Sequence, residues 1–313
     1  MTKDCLVIGD LNVDIVLNKL EDYPELGKEI VAESHFLDIG GSGGIFSAVL
    51  SGLGINTYII SKIGSDFLGK FLINKLKSYD VNINKLIIED NKETGITINL
   101  SYREDKYQIS SLGLVNSLNI DEVVFKNIKD IGHVHFTSYY MMNNLKKDYV
   151  KLINDIKKVY KNITFSLDTN DDPENRWGDE IYKILNNIDI FLVNKKEALK
   201  ITKESDTSDA LNKLKREVKT VVIKLGSEGY IARDGDNYYS GDSLSANFKD
   251  STGAGDNFDA GFIYGYINDL GIEKSLKIAN VVGVKSVEYP GGVGKKEKFS
   301  ELKKLININE GIN

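Results

Sequence analysis

Short apolar runs recur along the chain, and most are separated by stretches whose apolar residues fall three and four apart. CLVIG from Cys5, TYIIS at 57–61, HVHF at 133–136, ITFSLD at 163–168, IDIFLVN at 188–194 and VVIKLG at 221–226 have the length and bounding residues of buried strands. Between them, FLGKFLINKLKSY and DYVKLINDIKKVY carry the periodicity of helices. This alternation predicts an α/β fold with a mostly parallel central sheet flanked by helices. Helical segments around 254–269, 273–288 and 297–307 complete it. No linker, repeat or break in composition divides the chain, so residues 1–313 read as a single domain.

Two N-terminal regions depart from the alternation. KEIVAESHF at 28–36 and TGITINLSYREDKYQISSL at 94–112 have the pattern of short antiparallel strands, with REDK as a polar turn. They predict a small β lid, built from segments at approximately 12–37 and 92–114 inserted in the domain.

Composition narrows the function classes. The 313 residues are 41% hydrophobic, enough for a substantial core, and the net charge of −6 argues against a nucleic-acid partner. The single cysteine, Cys5, sits in an apolar strand run and has no disulfide partner. No stretch approaches the roughly 18 apolar residues of a membrane helix, and the N-terminus lacks a signal-peptide pattern, so a cytoplasmic protein without a membrane partner is expected. His133 and His135 share one strand face, but with only His35 besides them they lack an evident third metal ligand.

The chemistry concentrates at turns. In DSTGAGDNFDAGFI, at 250–263, the small residues Gly253, Ala254 and Gly255 precede Asp256, which should lie in the first turn of a helix. Unpaired N–H groups at a helix start suit an oxyanion, although an acidic residue there also simply favours the helix dipole. GGSGG at 40–44 opens another helical stretch. It has Phe46 where a dinucleotide fingerprint needs its third glycine, and no GxxxxGK[ST] loop occurs anywhere. In GDLNVDIV, Asn12 and Asp14 follow the first strand, where open α/β sheets bind ligands, and can accept or donate to a polyol or serve a turn. Asn194 and Glu197 open a helix with spacing that suits water-mediated magnesium or phosphate binding, or an ordinary helix cap. KLGSEG, from Lys224 to Gly229, follows a strand with a tight turn.

Together these segments resemble the PfkB, or ribokinase-like, carbohydrate kinases over nearly the whole chain. DSTGAGDNFDAGFI matches the family's C-terminal signature, and NKKE, KLGSEG, IANVVGVKSVEYPGG, SLDTNDDPENRW and HVHFTSYYMM are similar to family segments. The resemblance implies a ribokinase-like fold and an ATP- and Mg2+-dependent kinase acting on a hydroxyl of a sugar or sugar-like compound. It makes the Gly253–Asp256 turn an anion hole and Asp256 the base that takes the acceptor's proton. By the same analogy Asn12, Asp14, Gly40, Gly41, Ile45, Ile96 and Ile98 line the acceptor site. Lys224, Gly226, Ser227, Gly229, Asn280 and Gly283 border ATP, and Asn194 and Glu197 serve the metal and phosphates. A K+ requirement and a homodimer formed through the lid stay open. One position departs from the pattern: Ile45 replaces the asparagine expected in GGxxxN, which implies altered acceptor specificity. A nucleoside kinase of the same fold and a ligand-binding regulator without turnover are the alternatives.

Overall fold

The computed structural model describes residues 3–22, 24–102 and 105–310. The run DCLVI forms β1 (Asp4–Ile8), whose residues after the first are all buried because helices cover the strand from both sides. There follow β2 (Asn12–Leu20), β3 (Ala32–Gly40), α1 (Ser42–Leu53), β4 (Thr57–Ile60), β5 (Lys62–Gly64), α2 (Phe67–Ser78), β6 (Ile87–Glu89), β7 (Ile96–Tyr102), β8 (Asp105–Ser111) and β9 (Ile131–Phe136). The chain continues through α3 (Tyr149–Val159), β10 (Thr164–Asp168), α4 (Ile181–Leu185), β11 (Ile190–Asn194), α5 (Lys195–Thr202), α6 (Thr207–Leu214), β12 (Thr220–Lys224), β13 (Tyr230–Asp234) and β14 (Asn237–Gly241). It ends with α7 (Ala254–Ile267), α8 (Ile272–Ser286) and α9 (Glu297–Glu310).

The main sheet has the order β14-β13-β12-β11-β10-β9-β1-β4, parallel from β12 to β4, with β13 and β14 added antiparallel at one edge. All six expected strands lie in it. One apolar core fills the space between the sheet and α1, α2, α7, α8 and α9, and a second lies under α3 to α6. β1 has β4 on one side and β9 on the other, so the chain leaves it in opposite directions and a crevice opens beyond the strands' C-terminal ends.

The second sheet corrects the expected lid strands. Its order is β3-β2-β7-β8, and β2 pairs parallel with β7, so it is not wholly antiparallel. Asn12–Leu20 is a full strand, and β3 begins at Ala32 and runs to Gly40, later at both ends than the apolar pattern of KEIVAESHF suggested. Of the REDK turn, Arg103 and Glu104 lie outside the described residues, while β7 and β8 on either side pair antiparallel as expected.

His133 and His135 are core residues. His133 meets the Thr164 and Ser166 hydroxyls at 2.8 and 2.7 Å, and His135 meets Ser166 at 2.6 Å and stacks on Phe46. Burial pushes both imidazoles well below their ordinary range, His133 to about 3, so both are neutral. Cys5 is buried and free. Among the described residues no helix is long and apolar enough to cross a membrane.

One side chain joins three parts of this frame. Past the end of β1, the Asp10 carboxylate accepts from the Ser42 and Gly43 N–H groups at 3.1 and 3.0 Å and from the Thr137 hydroxyl at 3.0 Å. It thereby caps α1 and ties it to the segment after β9. Asp10→Ala is expected to lower unfolding free energy by about 1–3 kcal/mol, since these donors would be left buried and unpaired. Urea denaturation with an unchanged m-value checks it, and a loss below about 0.5 kcal/mol would contradict this role.

Candidate active site

The loop before α7 is held from two sides. Asp250 accepts from the Thr252 N–H and, through its other oxygen, from the Gly291 N–H, both at 2.9 Å. Asn257 donates to the carbonyls of Gly253 and Gly292 at 2.8 and 2.7 Å. Gly253 has a φ of 68°, and a β-carbon on it would stand 2.9 Å from the Gly292 α-carbon, so both backbone angle and space call for glycine. Ala254 N–H donates to the Ser251 carbonyl at 3.2 Å, whereas the N–H groups of Gly253, Gly255 and Asp256 meet no protein acceptor among the described residues. An anion can therefore be received by these three, with Asp256 rather than Ala254 supplying the third amide.

Beside this turn lies a buried charge cluster drawn from the C-terminal ends of parallel strands. Asp168 ends β10, Asn194 ends β11 and Lys224 ends β12. The Lys224 ammonium donates to Asp259, one turn beyond Asp256 on α7, at 2.7 Å, and to Asp168 at 3.5 Å. Burial alone would lower the Lys224 pKa, but the charges of Asp168, Asp259 and Glu197 outweigh it and raise it, so the ammonium stays charged. Burial, reinforced by the charge of Asp168, pushes the Asp256 carboxyl up to about 7 and that of Glu197 likewise to about 7. Burial also raises Asp259 well above the ordinary carboxylate range, and its Oδ1 is buried without a hydrogen-bond partner.

Asn194 and Glu197 form a reciprocal cap on α5. Glu197 N–H donates to Asn194 Oδ1 at 2.9 Å, and Asn194 N–H donates back to the carboxylate at 3.2 Å. Thr169 also donates to Glu197, at 3.1 Å. The helix-start reading is thus geometrically true, while the same carboxylate also lines the cleft.

Two cavities meet at the turn. The first, about 550 Å³, is bounded by Asn12, Asp14, Gly41, Ile45, Ile96, Asn194, Glu197 and the Gly253–Asp256 turn. The second, about 530 Å³, is bounded by Ser227, Gly229, Asn280, Gly283 and the apolar side chains of Leu244, Phe248 and Phe258. Lys224, Gly226, Ser251, Ala254 and Gly255 border both.

Two expected acceptor-site residues fall outside this lining. Ile98 stands two residues beyond Ile96 on β7, and only Ile96 and Thr97, the latter paired with Asp14 and Ser110, reach the lining from that strand. Gly40 lies behind Asp14, since a β-carbon there would fall 2.2 Å from the Asp14 carboxylate, so it makes room for Asp14 instead of lining the cavity. Lys224 borders the second cavity, but its ammonium is engaged by carboxylates.

Several lining residues were not singled out from sequence. Thr97, Gln108 and Ser110 share the polar face of the second sheet, where Asn12 donates to Thr97 at 2.9 Å and Thr97 meets Ser110 at 3.0 Å. The polar-apolar alternation of ITINL, at 96–100, was the available signal. Asp168 closes a strand in SLDTND, and Asp259 follows Asp256 at helical spacing. Asp10, by contrast, gave no signal beyond its place in GDLN.

The family model of the pfkB family carbohydrate kinases matches residues 2–298. An uncharacterized sugar kinase of Archaeoglobus fulgidus is 29% identical, over 77% of this chain and 95% of the relative. The ATP-dependent 6-phosphofructokinase of Thermoanaerobacterium thermosaccharolyticum is 26% identical, over 98% and 95%. The structure of Arabidopsis thaliana ribokinase complexed with ribose and ATP has the same fold, with a TM-score of 0.78 and 22% identity over 97% of this chain and 99% of that one.

Lys224→Met should destabilise the fold by about 3–5 kcal/mol at pH 8, because Asp168 and Asp259 would lose their buried counter-ion. The deficit should shrink towards pH 5, since carboxyls whose folded pKa is raised take up protons there and stability falls as pH rises. Denaturant titrations of parent and variant at both pH values measure this, and a deficit independent of pH would contradict the ion-pair role.

Proposed function

The chain belongs to the pfkB family of carbohydrate kinases, and from that membership we propose that it transfers the γ-phosphoryl group of ATP to a hydroxyl of an uncharged sugar or sugar-like acceptor. The observation that carries this reading is the position of Asp256, beside unengaged amides at the wall shared by two cavities. In-line phosphoryl transfer needs one group at the acceptor hydroxyl and anion donors at the transferred group, and this turn supplies both. Asp256 takes the hydroxyl proton; its elevated carboxyl pKa makes it a stronger base than an exposed aspartate. The N–H groups of Gly253, Gly255 and Asp256 receive the transferred phosphoryl. The apolar second cavity suits the adenine base, and the polar face of the second sheet suits the acceptor's hydroxyls. That sheet serves as the lid of one continuous domain and excludes water from the reaction.

An uncharged acceptor follows from the charge of the first cavity. Among its described lining residues Asp10, Asp14, Asp168, Asp171, Glu197 and Asp256 are acidic, and the one cation, Lys224, is already engaged. A phosphate or carboxylate on the acceptor would meet like charge there.

Magnesium fits in a limited way. Among the described residues no three His, Cys, Asp or Glu side chains converge, and Glu197 is occupied by its cap. Asn194 and Glu197 would hold the ion at one remove, through water, as Mg2+ commonly permits, and the ion would neutralise phosphate charge. Turnover of ATP agrees with a cytoplasmic setting. Exposed Tyr107 and Ile109 on β8 support a homodimer through the lid, which the native mass in solution tests.

An ATP-consumption screen over neutral sugars, sugar phosphates, sugar acids and nucleosides, with and without K+, tests the reading. Neutral sugars should give the highest kcat/KM; a preferred phosphorylated or acidic acceptor, a nucleoside, or no turnover at all would each contradict it. With the best acceptor, kcat/KM should rise with pH up to about 7 and then level off, because the base must be ionised. Asp256→Asn should lower kcat by roughly a hundredfold or more with ATP affinity little changed. A variant within about threefold of the parent would remove Asp256 from the base role.

A further inference from the structure

Helix α9 carries a lysine that faces inwards. Lys298 is 1% exposed, and its ammonium donates to the Val293 carbonyl at 2.6 Å and to Asn257 Oδ1 at 3.0 Å. No carboxylate among the described residues lies within ion-pair distance of it, and the nearest influential one, Asp38, is bonded to Lys75 at 3.4 Å. Burying an ammonium without a counter-ion is costly, and a methionine or leucine would fill comparable space without that cost. Burial lowers its pKa to about 7 despite the opposing charge of Asp38.

The bonds of this amine lead to the phosphoryl site. Asn257 has one amide face towards Lys298 and the other towards the Gly253 and Gly292 carbonyls, 2.8 and 2.7 Å from its Nδ2. With Lys298 donating to Oδ1, only one orientation of the amide satisfies all its partners. Without it, rotation of the amide would set oxygen against two carbonyl oxygens, and Gly253 and Gly292 would lose their common donor. Those two glycines are already in contact distance, with Ile45 packed against both.

We propose that Lys298 is a positioning residue for phosphoryl transfer, acting through Asn257 to hold the Gly253–Asp256 turn and the Gly291–Gly294 loop in the geometry that receives the transferred group. This rests on the kinase reading above. It assigns Lys298 no contact with either substrate, so its effect belongs in the rate of the chemical step and not in binding.

The test compares Lys298→Met and Lys298→Ala with the parent by amide hydrogen exchange and by steady-state kinetics. Exchange at the hydrogen-bonded amides of the two loops, Thr252, Ala254, Asn257 and Gly291, should speed up by about tenfold or more in Lys298→Met, with the sheet amides unchanged. The kcat should fall by at least about tenfold while the KM values for ATP and acceptor stay within about threefold. Methylammonium should restore part of the activity of Lys298→Ala, by refilling the vacated site with a cation. Parent-like exchange at the two loops would overturn the proposal, whether or not any acceptor is turned over, which separates its failure from failure of the kinase reading. Accelerated exchange across the whole chain, or a kcat loss in Lys298→Ala that methylammonium leaves untouched, would reduce Lys298 to a general stabilising role and overturn it as well.

Discussion

Asp10, Asp168, Glu197, Asp256 and Asp259 could not share one water-poor crevice unless positive charge stood among them, and the Lys224 ammonium supplies it. It sits at the end of β12, reaches Asp259 on α7 and Asp168 on β10, and so links the sheet to the helix that begins at the Gly253–Asp256 turn. Such a buried pair adds little net stability over apolar packing, but it fixes which side chains meet. Asp256 and Glu197, like Asp259, owe their raised carboxyls to this balance: burial and the charge of Asp168 push them up, and the lysine opposes the shift.

The architecture was legible because burial writes itself into sequence as continuous apolar runs. Each run that reads as a buried strand lies in the main sheet, since strands covered on both faces are apolar for most of their length, with the few polar residues, such as His133, His135 and Ser166, bonded to one another inside the core. The second sheet was harder to read. Its strands are polar on one face, and in β2 that face is the ligand face, so Asn12 and Asp14 suggested a loop where the backbone is extended. The same alternation explains why Ile98 was named in place of Thr97: an apolar residue draws attention in a strand pattern, although the hydroxyl beside it faces the cavity.

Candidate residues carried by a continuous motif stand out in the sequence, whereas those brought together only by tertiary contact do not. Gly253 to Asp256 are consecutive, and backbone geometry makes their role local. Asp168 and Asp259 lie on different elements far apart in the chain, so no spacing shows that both meet the Lys224 ammonium. Ile45 illustrates both sides. It stands out as a departure from a motif, and it does border the first cavity, but at 3% exposure it also packs against Gly253 and Gly292. A change at Ile45 would therefore disturb the packing under the turn as well as the cavity wall.

The wall common to the two cavities has a thermodynamic consequence. Lys224, Gly226, Ser251, Ala254 and Gly255 face both spaces, so any adjustment of that wall made by one ligand is felt by the other. Such coupling is reciprocal by necessity: whatever factor an occupant of one cavity imposes on affinity in the other is returned in equal measure. In a cleft so rich in carboxylates, that factor also contains protons, because an arriving anion raises the pKa of its acidic neighbours. Affinity, cooperativity and proton uptake are then three readings of one free energy, stored in five residues between two empty spaces.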